Sequence, residues 1–325
     1  MVDDGHFPQV AACVRAAIER ASEREEFREL LVQLMSRAGR ILSASGPPKW
    51  TTFVLKTCDA LGGDPTAAVG AAAAVEFAIV AADVADDLVD EDWSGQVERW
   101  RRAANAVLAL TWLAQRCVVD LADSLGPERA CRIGRLVACG ALSASDGQDM
   151  DLVLEKMPLV SAEEVHRAMA RKSGSLVATA CQVGAAVATE DEQVLSLVGV
   201  FGEHVGMVAQ LLNDIGGVLV GSDIARRKKT LPAAYALRCA REEGVPEIAF
   251  WYADDPHPND IDADQVSEII RELGGIHYAS VVASAHRQEA LAVVNELVRI
   301  TGRGEVRKLR RLVPQVWARS RRGCR

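Results

Sequence analysis

The chain has 325 residues, 49% of them hydrophobic, 25% charged and only 5% aromatic, and its formal charge is −8. That apolar content is enough for a large buried core. The acidic balance argues against a nucleic-acid binder, which carries a basic footprint, whereas clustered acids suit metal ions. Eight Cys with no C-x-x-C pair and no His cluster beside them read as reduced, mostly buried thiols. The opening residues Met1-Val2-Asp3-Asp4 lack a signal-peptide pattern. The longest apolar stretch, Ala67 to Ala85, is broken by Glu76 and Asp83 and makes a poor membrane span. The expectation is a cytoplasmic protein with no stable membrane insertion.

Alanine and leucine, which favour helix, dominate throughout. Residues 6–43 read as helix, up to the breaker Gly46-Pro47-Pro48. After Gly62-Gly63, Asp64-Pro65 reads as a helix start, with Asp as cap and Pro in the first turn, and the apolar run continues to Val89. Further helices are predicted over 98–124, 128–155, 161–189, 191–220, 229–243, 262–273 and 276–301. Gly126-Pro127, Met157-Pro158, Gly244 and Asp255-Pro256-His257-Pro258 punctuate them. No alternating strand pattern and no fixed-period repeat occurs. Val69 to Val84 is apolar almost all round, so that helix must be covered on every side by others. The reading is all-α, with residues 1–325 as a single helical-bundle domain. The Arg-rich stretch from Arg307 to Arg325, with Val313, Val316 and Trp317 interleaved, reads as a solvated terminal helix.

The main chemical signal is Asp83-Val84-Ala85-Asp86-Asp87-Leu88-Val89-Asp90, at the end of the most apolar helix. Asp86 and Asp90 are one turn apart and share a face, with Asp83 nearby. Acids at a helix C-terminus oppose the macrodipole, so their placement there points to a site. Converging carboxylates need a cation, and Mg²⁺ takes a few carboxylates together with waters and phosphate oxygens. A second polar step, Gln210-Leu211-Leu212-Asn213-Asp214, interrupts another apolar helix, and its oxygens suit a second metal position. The following Ser222-Asp223-Ile224-Ala225-Arg226-Arg227-Lys228-Lys229-Thr230-Leu231-Pro232 supplies cations that can grip a diphosphate. Gly147-Gln148-Asp149-Met150-Asp151 and Arg171-Lys172-Ser173 are two further polar elements.

In this order the elements resemble the trans-prenyl diphosphate synthase family. Its D-D-x-x-D corresponds to Asp86, Asp87 and Asp90, its G-Q-x-x-D to Gly147, Gln148 and Asp151, and its K-T/S to Lys172 and Ser173. Its Q-x-x-D-D-x-x-D falls on Gln210, Asn213 and Asp214, and its D-x-x-x-x-K-x-T-L-P on Asp223, Lys228, Thr230, Leu231 and Pro232. The resemblance implies an isoprenoid synthase bundle around a central cavity, about three Mg²⁺ ions held with bound diphosphate, and a homodimer. The departures are specific. Counted back from Gly62-Gly63, the family's G-K-R-x-R-P places its Lys on Pro47 and its second Arg on Trp50. A family His or Gln falls on Ile79, and an Arg-Arg pair on Gly95-Gln96. The last acid of the second motif falls on Gly217, for which Asp223 can stand in. Pro and Trp cannot replace charge-assisted bonds to phosphate; Lys49, Arg99, Arg101 and Arg102 are the cations left nearby.

The site for isopentenyl diphosphate therefore reads as lost and the allylic site as kept. On that basis the expected activity is a Mg²⁺-dependent class I terpene synthase. It would ionise a linear prenyl diphosphate of geranylgeranyl size and cyclise the cation. Asp86, Asp87 and Asp90, with Asn213 and Asp214, would hold metal; Lys172 and Lys228 would stabilise departing diphosphate; Gln210 would contact substrate. Phe77 and Trp112, with Phe53 and Trp50, are the candidate cation-stabilising aromatics. Ala81 and Ala82, with Ala78 above, would leave a deep chain pocket. The alternatives are a prenyltransferase, either chain-elongating or acting on a peptide Trp or other acceptor, and a non-catalytic partner subunit.

Overall fold

The computed structural model describes residues 5–89, 97–253 and 262–316, and among them it contains helices and no strand. In chain order these are α1 (His6–Ala21), α2 (Glu25–Met35), α3 (Lys49–Ala60), α4 (Val69–Val89) and α5 (Val97–Asp120). Then come α6 (Ala122–Leu125), α7 (Pro127–Lys156), α8 (Ala162–Met169), a π-helical turn (Ala170–Gly174), α9 (Ser175–Ala188) and α10 (Glu192–Val220). The chain continues through α11 (Ser222–Ala225), α12 (Leu231–Glu243), α13 (Pro246–Trp251), α14 (Ala263–Glu272), α15 (Gly275–Thr301) and a 3₁₀ segment (Gly304–Leu312).

The apolar run of α4 does what its composition demands. Residues 71–77 are all buried, Glu76 included, because α1, α2, α3, α5, α7 and α9 surround the helix. α10 is its counterpart and packs on α9, α12 and α15. By length and composition α10 is apolar enough to cross a membrane, but 61% of its most apolar stretch is buried in the bundle. Phe77, Val80, Phe201 and Val205 belong to one apolar cluster, and Met207 and Leu211 to a second with residues of α8, α12 and α15. Each fully buried side chain of this kind contributes roughly 1.5–3 kcal/mol.

Several boundaries differ from the predicted ones for local reasons. The helix expected over 6–43 breaks after Ala21, where Ser22 Oγ accepts from Arg24 N and Ser22 O accepts from Arg28 Nη1. A hydroxyl that bonds nearby backbone competes with the helix ladder. Asp64 does cap, accepting from Thr66 N at 2.9 Å, but it caps a turn, and α4 begins at Val69. α3 was not legible as helix. Its Thr51 is anchored by tertiary bonds to Glu76, from N at 2.9 Å and from Oγ1 at 2.7 Å. Of the stretch expected as a solvated terminal helix, the part up to Leu312 lies in a 3₁₀ segment (304–312) packed on α3 and α15, with Val306 and Leu309 buried, and residues 317–325, Trp317 included, lie outside the described residues. Three of the seven described cysteines, Cys58, Cys117 and Cys181, are buried and none is paired; Cys131 and Cys139 are exposed.

Candidate active site

The acids of α4 sit in its last two turns, where the helix dipole disfavours each by about 0.3–1 kcal/mol. Three cations from two other segments offset this. Asp86 Oδ1 is 2.9 Å from Lys172 Nζ, Asp87 Oδ2 is 2.5 Å from Arg37 Nη1, and Asp83 pairs with Arg40. Asp90 lies outside the described residues. Among the described residues no group of three or more His, Cys, Asp or Glu side chains is arranged to hold a metal ion; Asp86 and Asp87 are instead each drawn to a cation.

Lys172 is the hub. It is carried by the π turn between α8 and α9, a local irregularity frequent at functional sites. The turn lies against α7 at Gly147, where a Cβ would fall 2.7 Å from Arg171 C and 2.8 Å from Lys172 Cα, and closer still to Lys172 N. Glycine at 147 is thus what lets the two backbones meet. One turn further along α7, Asp151 Oδ2 accepts from Lys172 Nζ at 3.0 Å. Burial alone would lower the ammonium pKa, but the charges of Asp151 and Asp86 more than offset it and hold Lys172 above its usual range. The same face of α7 carries Gln148, whose buried carboxamide bonds no described residue.

α10 supplies the opposing half. Ser173 Oγ donates to Gln210 Oε1 at 2.8 Å, and Gln210 Nε2 donates to Asp214 Oδ1 at 2.7 Å. Burial pushes Asp214 up to about 7; the Gln210 bond opposes that shift and the charges of Asp223 and Asp151 add to it. Asn213 is exposed. At the degenerate step of this motif, a Cβ on Gly217 would lie 2.7 Å from Asp223 Oδ1 and closer still to Oδ2. The Asp223 carboxylate therefore occupies the space a side chain at 217 would fill. Burial raises Asp223, and Lys228 and Arg226 counter that. The loop between them holds Arg227 at φ 55, in the left-handed region, and closes with Lys228 N donating to Asp223 O at 2.9 Å.

The structure sorts the predicted residues unevenly. Asp86, Lys172, Gln210 and Asp214 form one connected polar layer, and Lys228 is electrostatically coupled to it through Asp223. Lys229, its neighbour, is structural: its ammonium caps α7 by donating to Glu155 O at 2.6 Å and Met157 O at 2.5 Å. Phe77 and Ala81 are buried in the core beside the acid turn, and Ala82 is half-buried. Trp112 is a correction. It is 69% exposed on the outer face of α5, so it stabilises no cation inside the bundle. Two arginines that the sequence reading passed over stand beside the acidic helix end. Arg37 and Arg40, at i and i+3 in Ser36-Arg37-Ala38-Gly39-Arg40, face the α4 acids although no motif marks them. Trp50 does not replace a family Arg but carries one, with Arg40 5.8 Å from its ring centroid.

A family model described as Polyprenyl synthetase matches residues 33–270. The chain belongs to the polyprenyl synthetase family. Among relatives, it is 29% identical over 288 residues to a geranylgeranyl diphosphate synthase of Mycobacterium tuberculosis, covering 81% of this chain and 79% of that one. It is 28% identical over 236 residues to the tryptophan prenyltransferase ComQ of Bacillus spizizenii, covering 70% and 79%. A polyprenyl synthetase structure from Streptomyces coelicolor superposes with a TM-score of 0.79 at 23% identity, over 95% of this chain and 98% of that one. That likeness fixes the polyprenyl synthetase fold and the frame on which the polar layer is built.

Proposed function

We propose that this polyprenyl synthetase is a prenyltransferase that ionises an allylic prenyl diphosphate and joins its prenyl group to isopentenyl diphosphate. The observation that carries the reading is the Lys172 bridge between Asp86 and Asp151, set against the Gln210–Asp214 step. The cyclase expectation gives way. It rested on a missing cationic side, for which Arg37 and Arg40 are the candidates, and the relatives named above are a geranylgeranyl diphosphate synthase and a tryptophan prenyltransferase.

The donor set fits a hard divalent cation: it is all oxygen, and burial raises the Asp214 carboxylate to about 7, a penalty that a bound cation would relieve. Asp86, Asp87 and Asp214, with Asn213 and Asp223, would hold Mg²⁺, which supplies Lewis acidity to the departing diphosphate. Lys172 and Lys228 place fixed positive charge where the C–O bond breaks. Gln210, held by Ser173, fixes the orientation of Asp214. Phe77, Val80 and Ala81, buried beside the acid turn, would keep water from a prenyl chain seated there. A homodimer would form on the exposed apolar face of α5. Leu108, Trp112 and Val119 line the exposed side of α5, and Leu142 lies on the neighbouring α7.

Incubation with Mg²⁺ and geranyl, farnesyl or geranylgeranyl diphosphate, each with and without isopentenyl diphosphate, tests the proposal. A longer diphosphate formed only when both are present is expected. Hydrocarbon or alcohol from a single diphosphate would restore the cyclase. The likeness to a tryptophan prenyltransferase favours a second acceptor, and product formed only with a Trp-containing peptide would establish it.

A further inference from the structure

Arg37 and Arg40 reach the same acidic helix end but are held differently. Arg40 is nearly buried, its side chain 12% exposed, between Asp83, the Trp50 ring and the charge of Glu76. Arg37 is one-third exposed and pairs with Asp87, which is itself about one-third exposed. Lys172 holds Asp86 and Asp151 from the other side. Among the described residues three cations thus face the four carboxylates of Asp83, Asp86, Asp87 and Asp151, leaving one net negative charge among these seven groups. A divalent ion meeting such a layer gains little unless a cation leaves, and a guanidinium leaves readily only for another two-oxygen anion.

We infer that Arg37 is an exchangeable anion-binding residue of this site: it neutralises Asp87 before loading, then gives up that carboxylate and grips a diphosphate. Arg40 stays in place and keeps the wall basic. Arg37 and Arg40 then take over from the segment after α2 what Pro47 and Trp50 cannot provide. Because the exchange needs both partners, metal and diphosphate binding are coupled through Arg37, and by linkage each tightens the other equally. The inference rests on the prenyl-transfer reading for the identity of the anion. Its chemistry, two phosphate oxygens on a guanidinium, is common to the allylic donor and the five-carbon acceptor.

The test is a Mn²⁺ titration followed by EPR on the whole protein, with and without inorganic pyrophosphate, for wild type, R37Q, R37K and R116Q. Arg116 is an exposed arginine of α5, paired with Asp120. Pyrophosphate should tighten Mn²⁺ at least tenfold in wild type and in R116Q. R37Q should bind Mn²⁺ alone more tightly than wild type and lose most of that coupling, and R37K should recover part of it. Equal coupling in R37Q and wild type, or none in wild type, overturns the inference. Steady-state arms with each diphosphate varied in turn locate the grip. A KM rise for the allylic substrate, for isopentenyl diphosphate or for both assigns the anion, whereas a rise for neither counts against the inference. A wild type that couples Mn²⁺ to pyrophosphate yet turns over no prenyl diphosphate sinks the transfer reading alone.

Discussion

Gly147→Ala tests the site through a residue that carries no chemistry. The added methyl would stand 2.7 Å from Arg171 C and 2.8 Å from Lys172 Cα, where ordinary contact begins at 3.4 Å. The obstacle is backbone, so the π turn must withdraw by about 1 Å, and overpacking of this sort costs about 1–3 kcal/mol. Against that stands the helix preference for Ala over Gly, about 1 kcal/mol, so the net loss is about 0–2 kcal/mol. The larger effect falls on catalysis. Lys172 Nζ sits 2.9 Å from Asp86 and 3.0 Å from Asp151, and a 1 Å displacement of a positioned group can lower turnover about 100-fold. Gly216→Ala is the matched control. It lies on α10 near the same layer, but its Cβ would meet nothing within 4 Å, so it should gain about 0.5–1 kcal/mol and keep its rate. Thermal melts and kcat on both variants decide the matter. Wild-type kcat in Gly147→Ala would refute the claim that this glycine seats Lys172.

Three further predictions follow from the same geometry. Asp223→Ala should weaken pyrophosphate-dependent Mn²⁺ binding, and adding Gly217→Asp to it should restore much of the loss, because one carboxylate then refills the space of the other; no rescue would mean that the two positions are not equivalent. Asp214 is raised to about 7 from 3.8, so between those values the folded chain binds more protons than the unfolded one, and without metal its contribution to stability falls as pH rises from about 4 to 7. Asp214→Asn keeps an oxygen for Gln210 but does not titrate, so denaturant midpoints of the variant should lack that decline; parallel pH profiles would contradict it. Trp112→Glu places a charge on the exposed α5 face and should convert a dimer to monomer in light scattering, with melting temperature little changed; an unchanged mass would exclude this face.

What was legible in the sequence was what repeats along one helix. The apolar run of α4 and the polar steps of α10 are local patterns, and so the bundle, Asp86, Gln210 and Asp214 followed from them, while Lys172 followed from the order of the motifs. What depends on segments meeting in space was not legible. Arg37 and Arg40 lie on no motif and gain meaning only when the turn after α2 folds against residues 83–87. Trp112 has the composition of a cation-stabilising aromatic, and only its register on α5 turns it outward. α3 contains Thr51, Thr52 and Thr57, β-branched residues that a helix merely tolerates, and Glu76 supplies the tertiary bonds that keep it helical. The basic run 226–229 reads as one patch, yet Lys229 is spent on the end of α7 while Lys228 stays near Asp223.

The placement of acids at a helix C-terminus is the same problem seen from the energetic side. α4 cannot hold Asp83, Asp86 and Asp87 by itself, because the dipole and their mutual repulsion both oppose it. Each is held by a cation from outside α4: the stretch after α2 for Asp83 and Asp87, and the π turn for Asp86. Part-exposed pairs of this kind contribute only about 0–1 kcal/mol apiece, enough to steady the turn and little enough to be exchanged. A site built to release cations on loading needs pairs of that modest strength. A fully buried Arg37–Asp87 pair would be too costly to open, and an unpaired Asp87 would bind metal without waiting for diphosphate.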